Sequence, residues 1–114
     1  MYPLKFIRRD NQPEVTAAAE YQMLAIFLTS DVQDEVTAGE MQQEIAAALE
    51  ASTSCTFTSN GHSIEMDEKG MVCLSSLFSD AQDEHLSGAM LLSALQHWEF
   101  FLGAAKLLVF SPKF

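Results

Sequence analysis

The densest group of side chains that would suit a metal ion lies in the segment from Asp80 to His85. It supplies three carboxylates and one imidazole, from Asp80, Asp83, Glu84 and His85. Carboxylate oxygens are the ligands that Ca²⁺ and Mg²⁺ prefer. The segment nevertheless lacks an Asp-x-Asp-x-Asp-Gly pattern and a second histidine at helical spacing, and acidic residues are favoured before a helix N-terminus. We interpret it as a solvated acidic loop, expect no bound metal or cofactor, and keep a metal-dependent enzyme using the Asp80–His85 loop as a minor hypothesis.

Other catalytic patterns are missing from the sequence. No serine lies in a Gly-x-Ser-x-Gly motif, and no glycine-rich phosphate loop occurs. His62 follows an Asn-Gly pair and is expected to be exposed, and His97 lies near the polar stripe of the last helix. For each of these histidines we expect a structural or surface role rather than catalysis. Cys55 and Cys73 fall on the first and third strands of a predicted meander, about 9–10 Å apart, which is too far for a disulfide. We predict two free thiols, and the sequence does not favour an enzyme.

Acidic residues dominate the charge of the chain. Asp and Glu number 16, Lys and Arg number 6, and the net charge is −10. Between Asp31 and Glu99 there are thirteen acids and a single base, Lys69. A phosphate backbone would be repelled by this surface, so we expect no nucleic-acid partner. The excess indicates a need for solubility, a basic protein partner or mimicry of nucleic-acid charge, with Glu40 and Glu44 as candidate contacts.

A run of apolar residues follows Ser87 and reads GAMLLSALQHWEFFLGAAKLLVF. Its periodicity predicts a long apolar C-terminal helix that is either central to the core or part of a subunit interface. Polar residues within the run argue against a membrane span. Gly103 predicts a bend or an end of the helix, after which residues 106–110 would be helix or a separate edge strand. The candidate interaction residues in this run are Trp98, Phe101, Leu108 and Phe110.

The stretch from Cys55 to Leu74 predicts a three-stranded antiparallel meander. A two-residue type I′ loop at Asn60-Gly61 would place Phe57 opposite Ile64 and Cys55 opposite Met66. A type I turn closed by Gly70 in the left-handed region would then place Met66 opposite Val72 and Ile64 opposite Leu74. This register sorts the apolar residues onto one face, which a one-residue slip would destroy.

The remaining segments are predicted to cover this sheet. Residues 2–9 and 14–17 form a hairpin around a turn at residues 10–13, with Pro13 at the start of the returning strand. A helix starts near Ala18, and Thr29-Ser30 interrupts it before a short turn capped by Ser30. A capping box from Thr37 to Glu40 opens a second helix, from about Ala38 to Ala51. Residues 75–87 are loop with at most one helical turn, and Ser87 caps the last helix.

The order of these elements predicts a single α+β domain over residues 1–114. An antiparallel sheet, made of the N-terminal hairpin and the three-stranded meander, is covered by helices. The first nine residues do not read as a signal peptide, which together with two free thiols indicates a cytoplasmic protein.

Five stretches of the chain follow the order and pattern of a known family. They read LKFIRRDNQPEV, SDVQDE, GEMQQEIAAAL, NGHSIEMDEKGMVCL and SALQHWEFFL. Together they resemble the YacL family, a set of small, acidic, uncharacterised proteins of gamma-proteobacteria, over about residues 1–102. The Gly-His pair, the Met-Asp turn and the Val-x-Leu strand of the fourth stretch match the family's pattern, whereas the loop from Phe78 to Leu86 is shorter. The resemblance implies a bacterial protein but no transferable activity.

Three hypotheses for the function remain open. The first is a non-enzymatic protein-interaction module that binds a basic or apolar partner and forms a homodimer, because the acidic middle precedes an unusually apolar end. The second is an immunity or antitoxin-type inhibitor that covers the basic site of a toxin. The third is the metal-dependent enzyme.

Overall fold

Within residues 2–113, which the computed structural model describes, three α-helices and two antiparallel sheets form an α+β fold. The bounds predicted for the domain, Met1 and Phe114, lie outside this range. In chain order the elements are β1 (Leu4–Arg9), β2 (Gln12–Ala17), a 3-10 helix (Ala19–Tyr21), α1 (Gln22–Asp31), α2 (Glu35–Ala51), β3 (Cys55–Thr58), β4 (His62–Met66), β5 (Met71–Ser76), β6 (Glu84–Ser87), α3 (Gly88–Gly103) and β7 (Val109–Phe110).

The predicted fold class is confirmed, but the strands form two sheets rather than one. The first has the order β2-β1-β7 and the second the order β3-β4-β5-β6. Helices α1 and α3 each contact strands of both sheets, and α2 packs along α3. The buried side of α3 carries Leu91, Ala94, Leu95, Trp98 and Phe101. This helix is therefore central to the core.

The β1–β2 hairpin turns through Asp10 and Asn11, which have φ angles of 52° and 64°. Arg9 pairs with Gln12 across them. Two consecutive left-handed residues are typical of a type I′ turn, in which Asn and Asp are tolerated. The predicted turn over residues 10–13 is too long, because Pro13 already pairs with Arg8. Proline fits there because β2 is an edge strand.

The register of the meander is confirmed. Cys55 pairs with Met66 and Phe57 with Ile64. Ile64 also pairs with Leu74, and Met66 with Val72. Gly70 has a φ of 81°, as the predicted turn requires.

The turn type predicted for Asn60-Gly61 is wrong, because neither residue has the positive φ that a type I′ turn requires. The flanking residues still face each other as predicted, and the backbone N–H of Ser59 donates to the carbonyl oxygen of His62 at 2.9 Å. The physical reason lies in α1, where the Asp31 carboxylate accepts hydrogen bonds from the Ser59 hydroxyl and the Gly61 N–H. These contacts from a distant residue override the local turn preference.

The fourth strand of the second sheet was not predicted. Residues 84–87 were expected to be loop or helical turn, but they form β6 and pair with β5. Leu74 faces Glu84, Cys73 faces His85, and Leu86 is buried. Four residues are too short a run for hydrophobic alternation to be distinguished from a loop.

Two predicted helix starts are wrong, and one is confirmed. Ser30 lies within α1, where its hydroxyl oxygen is 2.8 Å from the carbonyl oxygen of Ile26. Helix α2 begins before Thr37, since the Asp34 carboxylate accepts from the Thr37 N–H at 2.7 Å and is the N-cap. Ser87 caps α3 as predicted, by accepting from the Met90 N–H at 3.0 Å.

Helix α3 ends at Gly103, and the chain then returns to the first sheet as the short edge strand β7. The Arg8 guanidinium donates to carbonyl oxygens at this helix end, 2.8 Å from that of Phe101 and 2.9 Å from that of Ala104. It also lies 4.4 Å from the centroid of the Phe101 ring. A cation is favourable beside the last carbonyls of a helix. Arg8 therefore joins β1 to the end of α3.

Among the described residues, no helix is both long and apolar enough to cross a membrane.

Candidate functional site

The four predicted ligand-type residues do not converge. Glu84 and His85 lie on β6, so their side chains point to opposite faces of the sheet. Asp83 accepts a weak hydrogen bond from the Cys73 thiol at 3.5 Å, and Asp80 is exposed. Within residues 2–113 no group of three or more His, Cys, Asp or Glu side chains is arranged to hold a metal ion. The interpretation of Glu84 and His85 as loop residues is wrong, because both belong to a strand.

Glu84 instead closes the N-terminus of α1. Its two carboxylate oxygens accept from the backbone N–H groups of Met23 and Leu24, each at 3.0 Å. Tyr21, at the N-cap position of α1, provides no side-chain hydrogen bond, so an acceptor from β6 takes over this role. Burial raises the pKa of Glu84 above its ordinary value, although the two N–H donors act in the opposite direction.

His62 is buried rather than exposed, with 5% of its surface accessible. Its Nδ1 lies 3.0 Å from an oxygen of Asp31, which is itself 8% exposed. The imidazole also meets the ring of Phe27 edge to face, with 5.7 Å between centroids. The Asn-Gly pair before His62 suggested an exposed turn, and no spacing motif indicates its pairing with a residue 31 positions away.

Four hydrogen bonds satisfy the Asp31 carboxylate. Besides Nδ1 of His62, its donors are the hydroxyls of Ser30 and Ser59 and the backbone N–H of Gly61. Burial raises the pKa of Asp31, but these hydrogen bonds outweigh burial and leave the pKa below its ordinary value. Asp31 is therefore ionised at neutral pH, and it holds both the imidazole and the β3–β4 loop in place.

His62 and Glu84 line the same cleft, between α1, the end of β5 and the segment that leads to β6. Its volume is about 560 Å³. The walls combine apolar side chains with hydroxyl, amide and carboxylate groups, from Ala19, Gln22, Met23, Ile26, Gly61, His62, Ser76, Phe78, Ser79, Ala81, Gln82 and Glu84. A cleft of this size and mixed lining suits a small ligand. Of the predicted site residues, it includes only Glu84.

A second surface is formed by the solvent side of α2 and α3, which we call the acidic helical face. It comprises Glu35, Val36, Glu40, Glu44, Glu99 and Phe100. Val36 is 70% exposed and Phe100 is 56% exposed. Glu35 and Glu99 border a groove beside Phe100. Exposed apolar side chains and carboxylates therefore occur on the same two helices.

The predicted interaction residues differ in how much of their surface is exposed. Glu40, Glu44 and Leu108 are exposed. Phe110 is half-buried, because its ring packs against Phe6 and Phe100, with centroid distances of 5.8 Å and 5.1 Å.

The prediction of Trp98 and Phe101 as interaction residues is wrong, because only 1% and 0% of their surface is exposed. The indole Nε1 of Trp98 donates to the carbonyl oxygen of Val32 at 2.6 Å, which joins α3 to the segment between α1 and α2. Both side chains are part of the core.

The two cysteines are free, as predicted. Burial raises the pKa of both thiols. Neither is activated as a nucleophile.

No known protein family matches the chain, and neither a curated protein nor a solved structure is significantly similar to it. The resemblance to the YacL family stays a prediction.

Proposed function

We propose that the chain is a non-enzymatic cytoplasmic protein-interaction module that binds a basic protein partner through the acidic helical face. The observation that carries this proposal is the lack of internal charge neutralisation. Among residues 2–113 the only ion pair between a carboxylate and a Lys or Arg joins Arg9 to Glu14, at 3.4 Å. The carboxylates of Glu40 and Glu44 therefore remain available to an external cation.

The arrangement of charges also suits a defined contact. Glu40 and Glu44 lie one helical turn apart, so their Cβ atoms are about 5–6 Å from each other. A partner that presents two basic side chains at a similar spacing would pair with both. Charge complementarity of this kind mainly increases the association rate and selects the partner.

Val36 and Phe100 are exposed apolar side chains on the same two helices, α2 and α3. Stable interfaces combine apolar anchors with a polar rim, and carboxylates alone give little affinity because water and salt screen them. The exposed ring of Phe100, beside the groove that Glu35 and Glu99 border, and the exposed Val36 of α2 would provide such anchors. A partner with apolar residues between its basic ones fits this surface best.

The proposal is tested by capture from a lysate of the organism that makes the protein. The bait is the full chain, compared with the double variant Glu40→Gln/Glu44→Gln. A matched control, Glu65→Gln/Glu68→Gln, removes the same charge from exposed positions on the meander. We expect the same basic protein to bind the native chain and the control, and to be lost from the helix variant.

Two further measurements decide the outcome. Binding should fall steeply between about 0.05 and 0.5 M NaCl, because exposed charges are screened over about 10 Å at 0.1 M. Equal retention by both double variants would refute the role of α2. If the captured protein is a toxin whose activity falls on binding, the module is an inhibitor of the immunity type.

A further inference from the structure

The cleft beside His62 has the features of a built ligand site, distinct from the acidic helical face. We propose that it binds a small organic amine, with the ammonium or N–H group held by His62 and Glu84 and an apolar body against Met23, Ile26 and Phe78. This inference does not depend on the proposed protein partner, since it concerns other residues and another class of ligand.

The hydrogen bonds around Asp31 determine the tautomer of His62. A carboxylate that accepts four hydrogen bonds is ionised and can only accept, so Nδ1 of His62 carries the hydrogen that lies between them. In the neutral imidazole the other nitrogen, Nε2, is then a hydrogen-bond acceptor. Asp31 thus orients His62, with Nδ1 towards the carboxylate and the lone pair of Nε2 on the other side of the ring.

Nε2 of His62 has no partner among the described residues, where Nδ1 makes the side chain's only hydrogen bond. No fully enclosed side-chain nitrogen or oxygen of residues 2–113 lacks a partner. Nε2 must therefore retain contact with solvent, and the cleft is the opening that His62 lines. In its neutral form, this otherwise buried imidazole presents one free acceptor to the cleft.

The second acceptor is the carboxylate of Glu84. Each of its oxygens accepts one backbone N–H, and a carboxylate has about four lone-pair positions, so two remain for a ligand. Among the described lining residues there is no Lys or Arg. Two acceptors without a cation favour a donor that carries positive charge and disfavour an anion. An amine meets this requirement.

The apolar walls define the rest of the ligand. Met23 lies at the base of the cleft with 7% of its surface exposed, whereas Ile26 is 56% and Phe78 is 83% exposed. The volume of about 560 Å³ lies within the usual range for small-molecule sites, about 300–1,000 Å³. An aromatic ring at the mouth can also cover a cation, because the face of the ring is negative. The ligand is therefore an amine with a ring or a branched hydrocarbon.

The first test compares matched compounds on the full chain. The probes are benzylamine, 2-phenylethylamine and cyclohexylmethylamine, each with the corresponding alcohol and carboxylate. Binding is followed by NMR, using the backbone amides and the ring nitrogens of His62. We expect the amines to shift Gly61, His62 and Ser76, to bind about tenfold more tightly than the alcohols, and to move the Nε2 resonance most. The carboxylates should not bind.

The second test uses variants that separate binding from folding. Phe78→Ala removes a mostly exposed ring from the cleft, and Phe100→Ala removes a ring from the acidic helical face as its control. His62→Asn keeps an N–H for Asp31 but removes Nε2. Its control is His85→Asn, on the face of β6 opposite to that of Glu84. We expect only Phe78→Ala and His62→Asn to weaken amine binding, by at least about fivefold.

The inference is overturned if no amine of the set binds below about 10 mM, or if the alcohols and carboxylates bind as well as the amines. It is also overturned if Phe78→Ala, which leaves the core intact, binds the amines as well as the native chain does. Neither Phe78→Ala nor His62→Asn should affect capture of a basic partner by the acidic helical face. Failure here is therefore distinguishable from failure of the proposed function.

Discussion

The buried side chain of Asp31 connects two elements of the fold. It fixes the tautomer of His62, binds the Ser59 hydroxyl and the Gly61 N–H, and so joins α1 to the β3–β4 loop. No local pattern in the sequence indicates this role, since Asp31 stands in an acidic stretch and three of its four donors, on Ser59, Gly61 and His62, follow about thirty residues later. Sequence periodicity detects which face of an element is buried, but not which polar group of another element meets it.

We expect Asp31→Asn to lower the free energy of unfolding by about 2 kcal/mol, because hydrogen bonds to a buried ionised group are lost and their donors are left poorly satisfied. Urea denaturation at neutral pH measures the change. Asp80→Asn, at an exposed position, is the control and should change stability by less than about 0.5 kcal/mol. Equal stability of the Asp31 variant and the native chain would show that the carboxylate is not essential to the fold.

The same residue predicts how stability depends on pH. The pKa of Asp31 is lowered on folding, so its stabilising contribution is complete above the ordinary Asp pKa of about 3.9. That contribution is lost as the pH falls through the lower pKa of the folded state. The difference in unfolding free energy between the native chain and Asp31→Asn should therefore shrink in acid. A difference that stays constant from neutral pH down to about pH 2 would contradict this assignment.

The elements were predicted best where pattern and turn chemistry agree. The meander register followed from the alternation of apolar residues, and the end of α3 followed from Gly103. The failures lie where tertiary contacts override local preference. Glu84 supplies the cap of α1 from β6, and the Asn60-Gly61 pair is held out of a type I′ turn by Asp31. The type I′ conformation occurs instead at Asp10-Asn11.

The position of the type I′ turn can be tested by comparing substitutions at two asparagines, Asn11 and Asn60. Asn11 has a φ of 64°, whereas Asn60 has no positive φ. A left-handed conformation costs most residues about 1–2 kcal/mol, and Asn tolerates it better than Ala. We expect Asn11→Ala to destabilise the fold by about 1 kcal/mol and Asn60→Ala to have little effect, measured by thermal unfolding. Asn11→Gly should be neutral or stabilising. The reverse order of the two alanine variants would place the left-handed turn at Asn60-Gly61.

At the scale of the whole molecule, the sequence predicted the α+β class and the acidic surface but not the division into two sheets. The N-terminal hairpin makes no ladder with the meander, and its free edge at β1 pairs instead with β7, after the chain leaves α3. Only two residues form this strand, and Arg8 fixes the preceding turn through backbone carbonyls that any sequence would provide. Long-range contacts of this kind leave no periodic signal.

The uncompensated charge also affects the stability of the whole chain. Thirteen carboxylates against one base between residues 31 and 99 repel one another in the folded state. We expect an increase in NaCl from about 0.01 to 0.3 M to raise Tm by about 4 °C, which corresponds to about 1 kcal/mol for a domain of this size. Glu40→Gln/Glu44→Gln should show a smaller increase. A Tm that falls with salt would mean that attractive ion pairs dominate instead.

Arg8 has a consequence for how the chain folds during synthesis. The strand that carries it is made early, but the carbonyl of Phe101 to which it donates follows 93 residues later. At about 5–20 residues per second, the ribosome needs about 5 to 20 seconds to supply that partner. Until then Phe6 lacks the rings of Trp98, Phe101 and Phe110, against which it packs in the finished fold. We therefore expect the β1–β2 hairpin to reach its final packing only after α3 has been made.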